Sequence, residues 1–397
     1  MSNLGKIGLF LANSQDRSKI VQVRVQHFPL WYTLEKELSM AEDYKAKLND
    51  LLTTCAKQSA SDLHLAVGRR PTLRMDGALV PLQKESVMTP EAAEGIISEL
   101  TSAEQKEKLV VQRQLDFAYS FEDKARFRVN VYYQRGYLAA ALRLVPARIR
   151  TIEELNLPPL LHDFSKLSQG FILAVGPAGH GKSSTLAAVL DEVNHTRADH
   201  IITIEDPVEY LFTQDKCIVS QREIGSDAVS FHSALRTVLR QDPDVIMIGE
   251  MRDAVSIATA MTAAETGHLV FSTLHTNSAS QTIDRIIDSF PAEQQGQVTS
   301  QLAATLVAIV SERLLPRISG GRIPSMEIMI VNPAIRNLIR ERKTYQVDLV
   351  IETSLQEGMV TLNRSLANLV KNKEVTLENA ELYSLNPAEL RILLERT

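Results

Sequence analysis

The sequence has 397 residues, with hydrophobic and charged fractions of 44% and 23%, which are typical of a globular chain long enough for two or three cores. Its formal net charge of -5 gives no bulk attraction to nucleic acids, so we expect no nucleic-acid partner. The two cysteines, Cys55 and Cys217, exclude a disulfide framework and a four-cysteine zinc site.

The N-terminal part of the sequence has a mixed helix and strand pattern. Residues 1–39 form an extension to which the sequence assigns no role. A helix is predicted over Ala41–Ala56, and short strands are predicted over Pro71–Met75 and Leu79–Leu82. We therefore expect residues 40–150 to form an α+β domain.

Two longer predicted strands, Arg126–Tyr133 and Tyr137–Val145, carry arginines. Alternate residues of a strand share a face, so the apolar side chains of the first strand lie opposite its polar ones. The arginines concerned are Arg126, Arg128 and Arg143. A solvated sheet surface explains them as well as a ligand site does, and the pattern alone leaves both interpretations open.

Residues 151–168, with Pro158-Pro159, are predicted to be a linker. Apolar strands and helices then alternate, which indicates a parallel sheet with helical crossovers in an α/β domain over residues 169–397. Its strands are predicted over residues 171–175, 200–204, 218–220, 244–248 and 268–273. The final segment, from about residue 325, is predicted to be mainly helical.

A glycine-rich loop separates the first of these strands from a predicted helix. Its residues are Gly176, Pro177, Ala178, Gly179, His180, Gly181, Lys182 and Ser183, and Ser184 continues the helix. In this context the backbone N–H groups and the helix N-terminus cradle phosphates, and Lys182 reaches the β- and γ-phosphates. The Ser183 hydroxyl is placed to bind Mg²⁺. The loop therefore predicts a nucleoside triphosphate site.

Carboxylates end two further apolar strands, with Glu205 after the second strand and Glu250 after the fourth. The carboxyl ends of parallel strands form the ligand-binding edge of an α/β sheet. Carboxylates there orient an attacking water or hold Mg²⁺ through its water shell. Glu250 stands where the common motif has an aspartate at the end of the strand. A helix cap or a salt bridge is the alternative for either residue alone.

Histidines stand at both ends of the fifth strand. His268 precedes it and His275 follows it. Such a histidine is more often a structural hydrogen-bonding group than a catalyst. The functional interpretation is that His275 contacts the γ-phosphate and that His268 orders neighbouring carboxylates. The two are too far apart to indicate a zinc centre.

Together these motifs resemble the secretion ATPases of type II secretion and type IV pili. The resemblance rests on the glycine-rich loop, Thr203–Glu209, Ala234–Asp244, Gly249-Glu250 and the histidine segment. Ala60–Leu65 and Ala334–Glu341 resemble the branch of that family that retracts pili. The similarity runs from about Ala41 to the final helices.

The resemblance implies a homohexameric ring whose subunits have a PAS-like N-terminal domain and a RecA-like C-terminal domain. Arg126, Arg128 and Arg143 would then neutralise the phosphates as the domains close. Glu205 would polarise the attacking water, Glu250 would support Mg²⁺ and the water, and His275 would sense the γ-phosphate. The loop departs from the family at Ala178 and His180, which replace the usual threonine and serine.

The implied function is that of a cytoplasmic ATPase motor that uses ATP and Mg²⁺ to retract type IV pili. Its expected partners are an inner-membrane platform protein and, as further candidates, other pilus motor ATPases. No run of the sequence approaches the ~20 apolar residues that span a bilayer, so we expect a soluble protein that is peripheral at the inner membrane face through a partner. Two alternatives stay open: an accessory or assembly ATPase of a related pilus or type II secretion system, and a weakly hydrolysing nucleotide-binding regulatory subunit.

Overall fold

The computed structural model describes residues 30–58, 60–75, 77–121, 125–145 and 148–395. Residues 1–29 of the predicted extension therefore lie outside the described residues. The first helix, α1, spans Leu30–Lys57. It begins before the predicted start at Ala41 and runs through the predicted boundary at residues 39 and 40.

The N-terminal sheet has six antiparallel strands in the order β3-β2-β1-β6-β5-β4. Their bounds are β1 Asp62–Ala66, β2 Thr72–Met75, β3 Ala78–Pro81, β4 Gln114–Phe121, β5 Ala125–Gln134 and β6 Tyr137–Val145. Two helices connect β3 to β4: α2 (Pro90–Leu100) and α3 (Ala103–Gln112). The prediction of an α+β arrangement with strands near 71–75, 126–133 and 137–145 is confirmed.

One face of this sheet packs into a core, and the other carries polar groups. Phe127, Val129 and Val131 of β5 are fully buried, in a cluster that includes residues of α1 and α2. Because strand residues alternate, Arg126 and Arg128 lie on the opposite face. The predicted separation of the two sets of side chains is therefore correct.

The second sheet has seven strands in the order β13-β12-β7-β11-β10-β8-β9. Their bounds are β7 Gly170–Val175, β8 His200–Glu205, β9 Ile218–Glu223, β10 Val245–Ile248, β11 Leu269–Leu274, β12 Leu306–Pro316 and β13 Arg322–Ile330. All neighbours pair in parallel except β13, which is antiparallel to β12. The five predicted strands of the parallel sheet are confirmed to within a few residues at their ends.

Helices cover both faces of this sheet. Their bounds are α4 Leu161–Ser165, α5 Lys182–Thr196, α6 Phe231–Val238, α7 Ala254–Glu265, α8 Ala279–Asp288, α9 Ala292–Thr305, α10 Pro333–Arg340, α11 Val347–Thr353, α12 Leu362–Lys371, α13 Leu377–Tyr383 and α14 Pro387–Glu395. Short 3-10 helices span Thr344–Gln346 and Leu355–Glu357. Buried apolar side chains of β7, β10 and β11 alternate between two clusters, one on each face of the sheet.

The predicted linker 151–168 is packed against the second sheet. Ile152, Leu157, Leu161 and Phe164 are buried in the cluster that includes the apolar residues of α5. Burial of four apolar side chains fixes this segment to the second sheet, since each contributes on the order of 1.5–3 kcal/mol when removed from water.

The prediction that the chain is mainly helical from about residue 325 is wrong at its start, because β13 runs to Ile330. Beyond that strand the segment is helical, as predicted. The last three helices form a small cluster of their own with Leu315 and Ile323, at the far ends of β12 and β13. In the part of the chain that the structure describes, no helix has both the length and the apolar character needed to cross a membrane.

Candidate functional site

The glycine-rich loop lies between the end of β7 at Val175 and the start of α5 at Lys182. All three of its glycines lie in the positive-φ region, with φ 141° at Gly176, 77° at Gly179 and 102° at Gly181. A Cβ at Gly176 would lie 2.5 Å from the carbonyl oxygen of Glu312, and one at Gly181 would overlap the Glu312 carboxyl group. Glycine is therefore required at both places by conformation and by close approach.

The residues of the predicted glycine-rich motif all lie in this loop or in the first turn of α5. They are Gly176, Pro177, Ala178, Gly179, His180, Gly181, Lys182, Ser183 and Ser184. Ala178 and Gly179 are exposed, so this face of the loop is open. Open backbone N–H groups next to a helix N-terminus are the anion-binding arrangement that the sequence predicts.

The Lys182 side chain folds back over the loop. Its Nζ donates hydrogen bonds to the carbonyl oxygens of Gly176, at 2.9 Å, and Pro177, at 2.8 Å. Burial lowers the pKa of Lys182, against the opposing attraction of the nearby Glu312. An ammonium group held by two carbonyl dipoles in a buried site is well suited to exchange these contacts for an anionic oxygen.

Glu312 of β12 lies buried beneath the loop and was not predicted. Its Oε2 accepts a hydrogen bond of 2.8 Å from the Thr185 hydroxyl. Burial raises the pKa of Glu312 to about 7. The adjacent Arg313 is also buried, and its guanidinium donates to the carbonyl oxygen and side chain of Asn277 at 3.0 Å. Two neighbouring charges inside an apolar strand are the sequence signal that would have marked this position.

His275 joins the loop to the end of β10. Its Nδ1 lies 3.5 Å from Nζ of Lys182, and its Nε2 lies 3.1 Å from Oε2 of Glu250. Because the ammonium group can only donate, Nδ1 accepts and Nε2 carries the proton that Glu250 accepts. Arg252 pairs with the other oxygen of Glu250. The structure thus brings together Lys182, His275 and Glu250 across the carboxyl ends of β7, β11 and β10.

Glu205 ends β8, the next strand at the same edge, and is only 5% exposed. Its Oε1 accepts from the Thr203 hydroxyl at 2.7 Å, and its Oε2 accepts from the backbone N–H of Glu209 at 3.2 Å. Burial raises the pKa of Glu205 to about 6, and these hydrogen bonds oppose the rise. A buried, oriented carboxylate with a pKa just below neutral is well suited to act as a general base at neutral pH.

His268 lies at the other end of the sheet. It precedes β11, and its Nδ1 donates to the carbonyl oxygen of Ala263 at 2.9 Å. It also lies 3.2 Å from the Thr266 hydroxyl. A six-residue strand extends for about 20 Å, so His268 is not brought to the edge that carries His275 and Glu250. Within one chain its contacts are those of a structural histidine.

The three candidate arginines share one face of the N-terminal sheet, where Arg128 lies directly opposite Arg143 in the β5–β6 pair. Nη2 of Arg126 donates to Oε2 of Glu223, at the end of β9, at 3.1 Å. Nε of Arg143 donates to the buried Asp62 at 2.9 Å. Among the described residues Arg128 forms no ion pair. The arginine face therefore reaches the second sheet at Glu223.

The donors for a magnesium ion are sparse. Ser183 is half-buried in the first turn of α5, and Glu250 is held by His275 and Arg252. Within the described ranges no group of three or more histidine, cysteine or acidic side chains could hold a metal ion. This donor set fits a cation that is bound mainly by phosphate oxygens and water, as Mg²⁺ is in nucleotide sites.

Ser184 and Tyr210 share a hydrogen bond of 2.5 Å between their hydroxyl groups. Both line a cavity of about 30 Å³ together with Arg148 and Arg150. A larger cavity, of about 540 Å³, lies farther along α5 beside the segment that begins at Arg148, and the loop residues do not line it.

Comparison with known proteins places these observations in a family context. Residues 37–382 match the Type II/IV secretion system protein family. The chain is 44% identical over 338 residues to the type IV pilus retractation ATPase PilT of Pseudomonas aeruginosa, which covers 84% of this chain and 96% of that protein. It is 36% identical over 346 residues to the type IV pilus ATPase PilU of the same organism, covering 87% of this chain and 90% of that protein. The crystal structure of the pilus retraction motor PilT with bound ADP superposes with a TM-score of 0.80 at 45% identity, covering 87% of this chain and 98% of that one.

Proposed function

The chain belongs to the Type II/IV secretion system protein family, and we propose that it is a hexameric motor that hydrolyses ATP to retract type IV pili. It is an ATPase of the same kind as PilT, whose crystal structure with ADP it matches over 98% of that chain. The observation that carries the proposal is the alignment of Lys182, His275 and Glu250 along one sheet edge, with Glu205 on the next strand. This is the edge at which α/β sheets bind their ligands.

The triphosphate binds at the glycine-rich loop. The loop backbone and the N-terminus of α5 hold the phosphate oxygens, and Lys182 exchanges the carbonyl oxygens of Gly176 and Pro177 for the β- and γ-phosphates. His275 then stands between the lysine and Glu250, where its ring reports the presence of the γ-phosphate. Ser183 and Glu250 are the protein groups that would hold Mg²⁺, which supplies charge neutralisation to the phosphates.

Glu205 orients and deprotonates the attacking water. Its two oxygens are fixed by Thr203 and by the backbone N–H of Glu209, so the carboxylate is already oriented before substrate arrives. Such preorganisation is what makes a general base effective. The proton taken from water by Glu205 leaves hydroxide to attack the γ-phosphorus, and the bond to the bridging oxygen of ADP breaks.

Movement between the two sheets would couple hydrolysis to work. We assign residues 40–150 to a PAS-like domain, residues 151–168 to a linker and residues 169–397 to a RecA-like domain. Arg126, Arg128 and Arg143 of the first domain close over the phosphates, where their planar donors bridge phosphate oxygens. In a ring of six subunits these closures act on an inner-membrane platform protein from the cytoplasmic side.

The cellular test is deletion of the gene in the organism that encodes this chain. Loss of a retraction motor leaves surface pili that are abundant but immobile, whereas loss of an assembly motor leaves no pili. We expect abundant pili without twitching, and recovery of twitching with the wild-type gene but not with Lys182→Ala. A deletion strain without surface pili would refute the retraction function and support an assembly function.

A second candidate is an accessory ATPase that acts together with a separate retraction motor. The chain is also 36% identical to the type IV pilus ATPase PilU over 90% of that protein, so a pilus ATPase other than the primary retraction motor is the next candidate. Deletion of every other retraction-type ATPase gene in the same strain separates the two functions. Twitching that persists with this chain alone identifies a primary motor, and twitching that is lost identifies an accessory one.

Substitutions in helix α10 can separate a structural role of its buried side chains from a motor role of its exposed arginine. Ile335, Leu338 and Ile339 are buried in the core, whereas Arg340 is exposed. We expect Leu338→Ala to destabilise the fold by about 2–3 kcal/mol, because it leaves a cavity. Arg340→Ala is expected to keep its ATPase rate within about twofold and its unfolding temperature within a few degrees while twitching is lost, since surface changes rarely alter stability.

The two variants are compared by thermal unfolding, steady-state ATPase rate and twitching. Arg340→Lys serves as the matched control for charge at that site. A parallel loss of ATPase rate and twitching in Arg340→Ala would contradict a specific coupling role for α10.

A further inference from the structure

The strand β12 touches the phosphate-binding loop beyond the point where its neighbour ends. β7 pairs with β12 in parallel up to Val175, which lies opposite Ser311. β12 continues to Pro316, paired on its other side with β13. The loop therefore takes the place of β7 alongside the last residues of β12, and the backbone groups on that side of β12 need partners from the loop.

His180 of the loop supplies one such partner. Its Nδ1 accepts a hydrogen bond of 3.0 Å from the backbone N–H of Leu314. Because Nδ1 accepts, the ring proton lies on Nε2. Burial lowers the pKa of His180, and the positive charges of Arg313, Lys182 and Arg322 act in the same direction. The ring is therefore neutral at neutral pH and keeps the lone pair that Leu314 requires.

The same ring contacts the C-terminal helices. The centroid of the Tyr383 ring lies 5.9 Å from that of His180, with an angle of 60° between the ring planes. This is an edge-to-face arrangement, which favours association of aromatic rings. Tyr383 is the last residue of α13, whose Ala380 is buried in the C-terminal cluster with Leu315 of β12.

We propose that His180 is a positioning residue of the phosphate-binding loop, which it fixes to β12 through Leu314 and to the C-terminal helices through Tyr383. This inference rests on the proposed function, because it assigns the loop to nucleotide phosphates. His180 does not contact the reacting atoms. It holds the backbone of the loop in the arrangement that receives the β-phosphate, and it makes the position of α13 a determinant of nucleotide affinity.

The loop has another support, and this makes the inference testable. Gly176 and Gly181 rest on Glu312 whatever side chain occupies residue 180. If those contacts alone define the loop, removal of the His180 ring leaves nucleotide binding unchanged. If His180 fixes the loop, its removal weakens binding without unfolding the chain.

The experiment compares His180→Ala with His180→Asn in the full-length protein, using ADP with Mg²⁺ as the probe in calorimetric titrations. Asparagine can present its side-chain oxygen near the place of Nδ1 and keeps the acceptor for Leu314, whereas alanine removes it. We expect the Kd for ADP to rise about two- to tenfold in the alanine variant, the effect of one lost hydrogen bond, and to stay within about twofold in the asparagine variant. KM for ATP should rise with the Kd while kcat changes little, because the lost contact is uniform between ground and transition states. Equal affinities in wild type and His180→Ala would overturn the inference.

Substitutions of Tyr383 test the second contact of His180 independently. Tyr383→Leu removes the aromatic edge and should raise the Kd for ADP about two- to fivefold, whereas Tyr383→Phe keeps the ring and should not. In the His180→Ala background Tyr383→Leu should have no further effect, since its partner is gone. Additive effects of the two changes would overturn the coupling.

Failure of the proposed function gives a different result. Wild-type protein that binds no ADP, or binds it equally well after Lys182→Ala, would refute the nucleotide site itself. A different outcome is that wild-type protein binds ADP, Lys182→Ala abolishes binding and His180→Ala leaves the Kd unchanged. That outcome would refute only the role of His180.

Discussion

Replacing Glu205 with glutamine is expected to lower kcat for ATP hydrolysis by about 10²- to 10⁴-fold, the usual contribution of a general base. Glutamine keeps the size of the side chain and an oxygen that Thr203 can bond, but it cannot take a proton from water. The Kd for ADP should change little, because Glu205 lies at the strand end and not in the phosphate loop. Steady-state ATPase assays together with ADP titrations measure the two effects.

Stability distinguishes this catalytic loss from a structural one. The pKa of Glu205 is raised to about 6, so its carboxyl group favours folding below its unfolded pKa, and this contribution is lost as the pH rises through about 6. At pH 8 Glu205 is ionised, and its buried charge lowers the free energy of unfolding. Glutamine carries no such charge. Glutamine also keeps only one of the two acceptor oxygens, so the backbone N–H of Glu209 loses its partner and Glu205→Gln should unfold within a few degrees of wild type at pH 8.

The pH profile gives a second signature. The wild-type kcat should fall as the pH drops through about 6, because the base becomes protonated. The residual activity of Glu205→Gln should lack this fall. The exposed Glu209 provides the matched control, and Glu209→Gln should keep kcat within about threefold. A larger loss in Glu209→Gln than in Glu205→Gln would contradict the assignment of the base.

Replacing Arg128 with alanine should reduce kcat by about 10³-fold or more, since arginines that close over transferring phosphates contribute this much in related chemistry. Arg126 and Arg143 are paired with Glu223 and Asp62, whereas Arg128 faces Arg143 directly. Like charges directly opposite each other destabilise a strand pair. An anionic ligand between them removes that repulsion, which is why Arg128 is the arginine most suited to a phosphate.

The repulsion also predicts the stability of the variant. Arg128→Ala should unfold at the wild-type temperature or slightly above it in the absence of nucleotide. Arg69→Ala, at an exposed turn of the same sheet, is the control and should keep both rate and stability. A marked fall in the unfolding temperature of Arg128→Ala, or an ATPase rate close to that of wild type, would contradict the role of Arg128 in phosphate binding.

Most elements of the parallel sheet could be predicted because their sequences leave little choice. The strands β7, β8, β10 and β11 are short apolar runs with a glycine or an aspartate within two residues of at least one end, which is the pattern of a buried strand. The pair β12 and β13 was missed because α9 passes into β12 between Thr305 and Leu306 without a turn residue. An apolar run without such a boundary fits a helix and a strand equally well.

The parts of the site that belong to one short motif could be predicted from the sequence. The parts that distant segments contribute could not. The loop and the carboxylates at strand ends were found from local pattern. Leu314 and Tyr383 reach the loop only through the tertiary fold, so no spacing in the sequence reveals them. The charges of Glu312 and Arg313 mark an unusual buried position, but the sequence does not show that it lies against the loop. His268 was grouped with the carboxylates because it adjoins the same strand as His275. It lies at the far end of that strand, away from them.

The contact between Arg126 and Glu223 has a mechanical consequence. Nε of Arg126 is buried and has no hydrogen-bond partner within the described chain, although Nη2 is paired. A buried donor left without an acceptor costs about 1–3 kcal/mol. A ligand that offers a further oxygen would give Nε the acceptor that it lacks. Ligand binding and the contact with Glu223 are therefore linked through one guanidinium group.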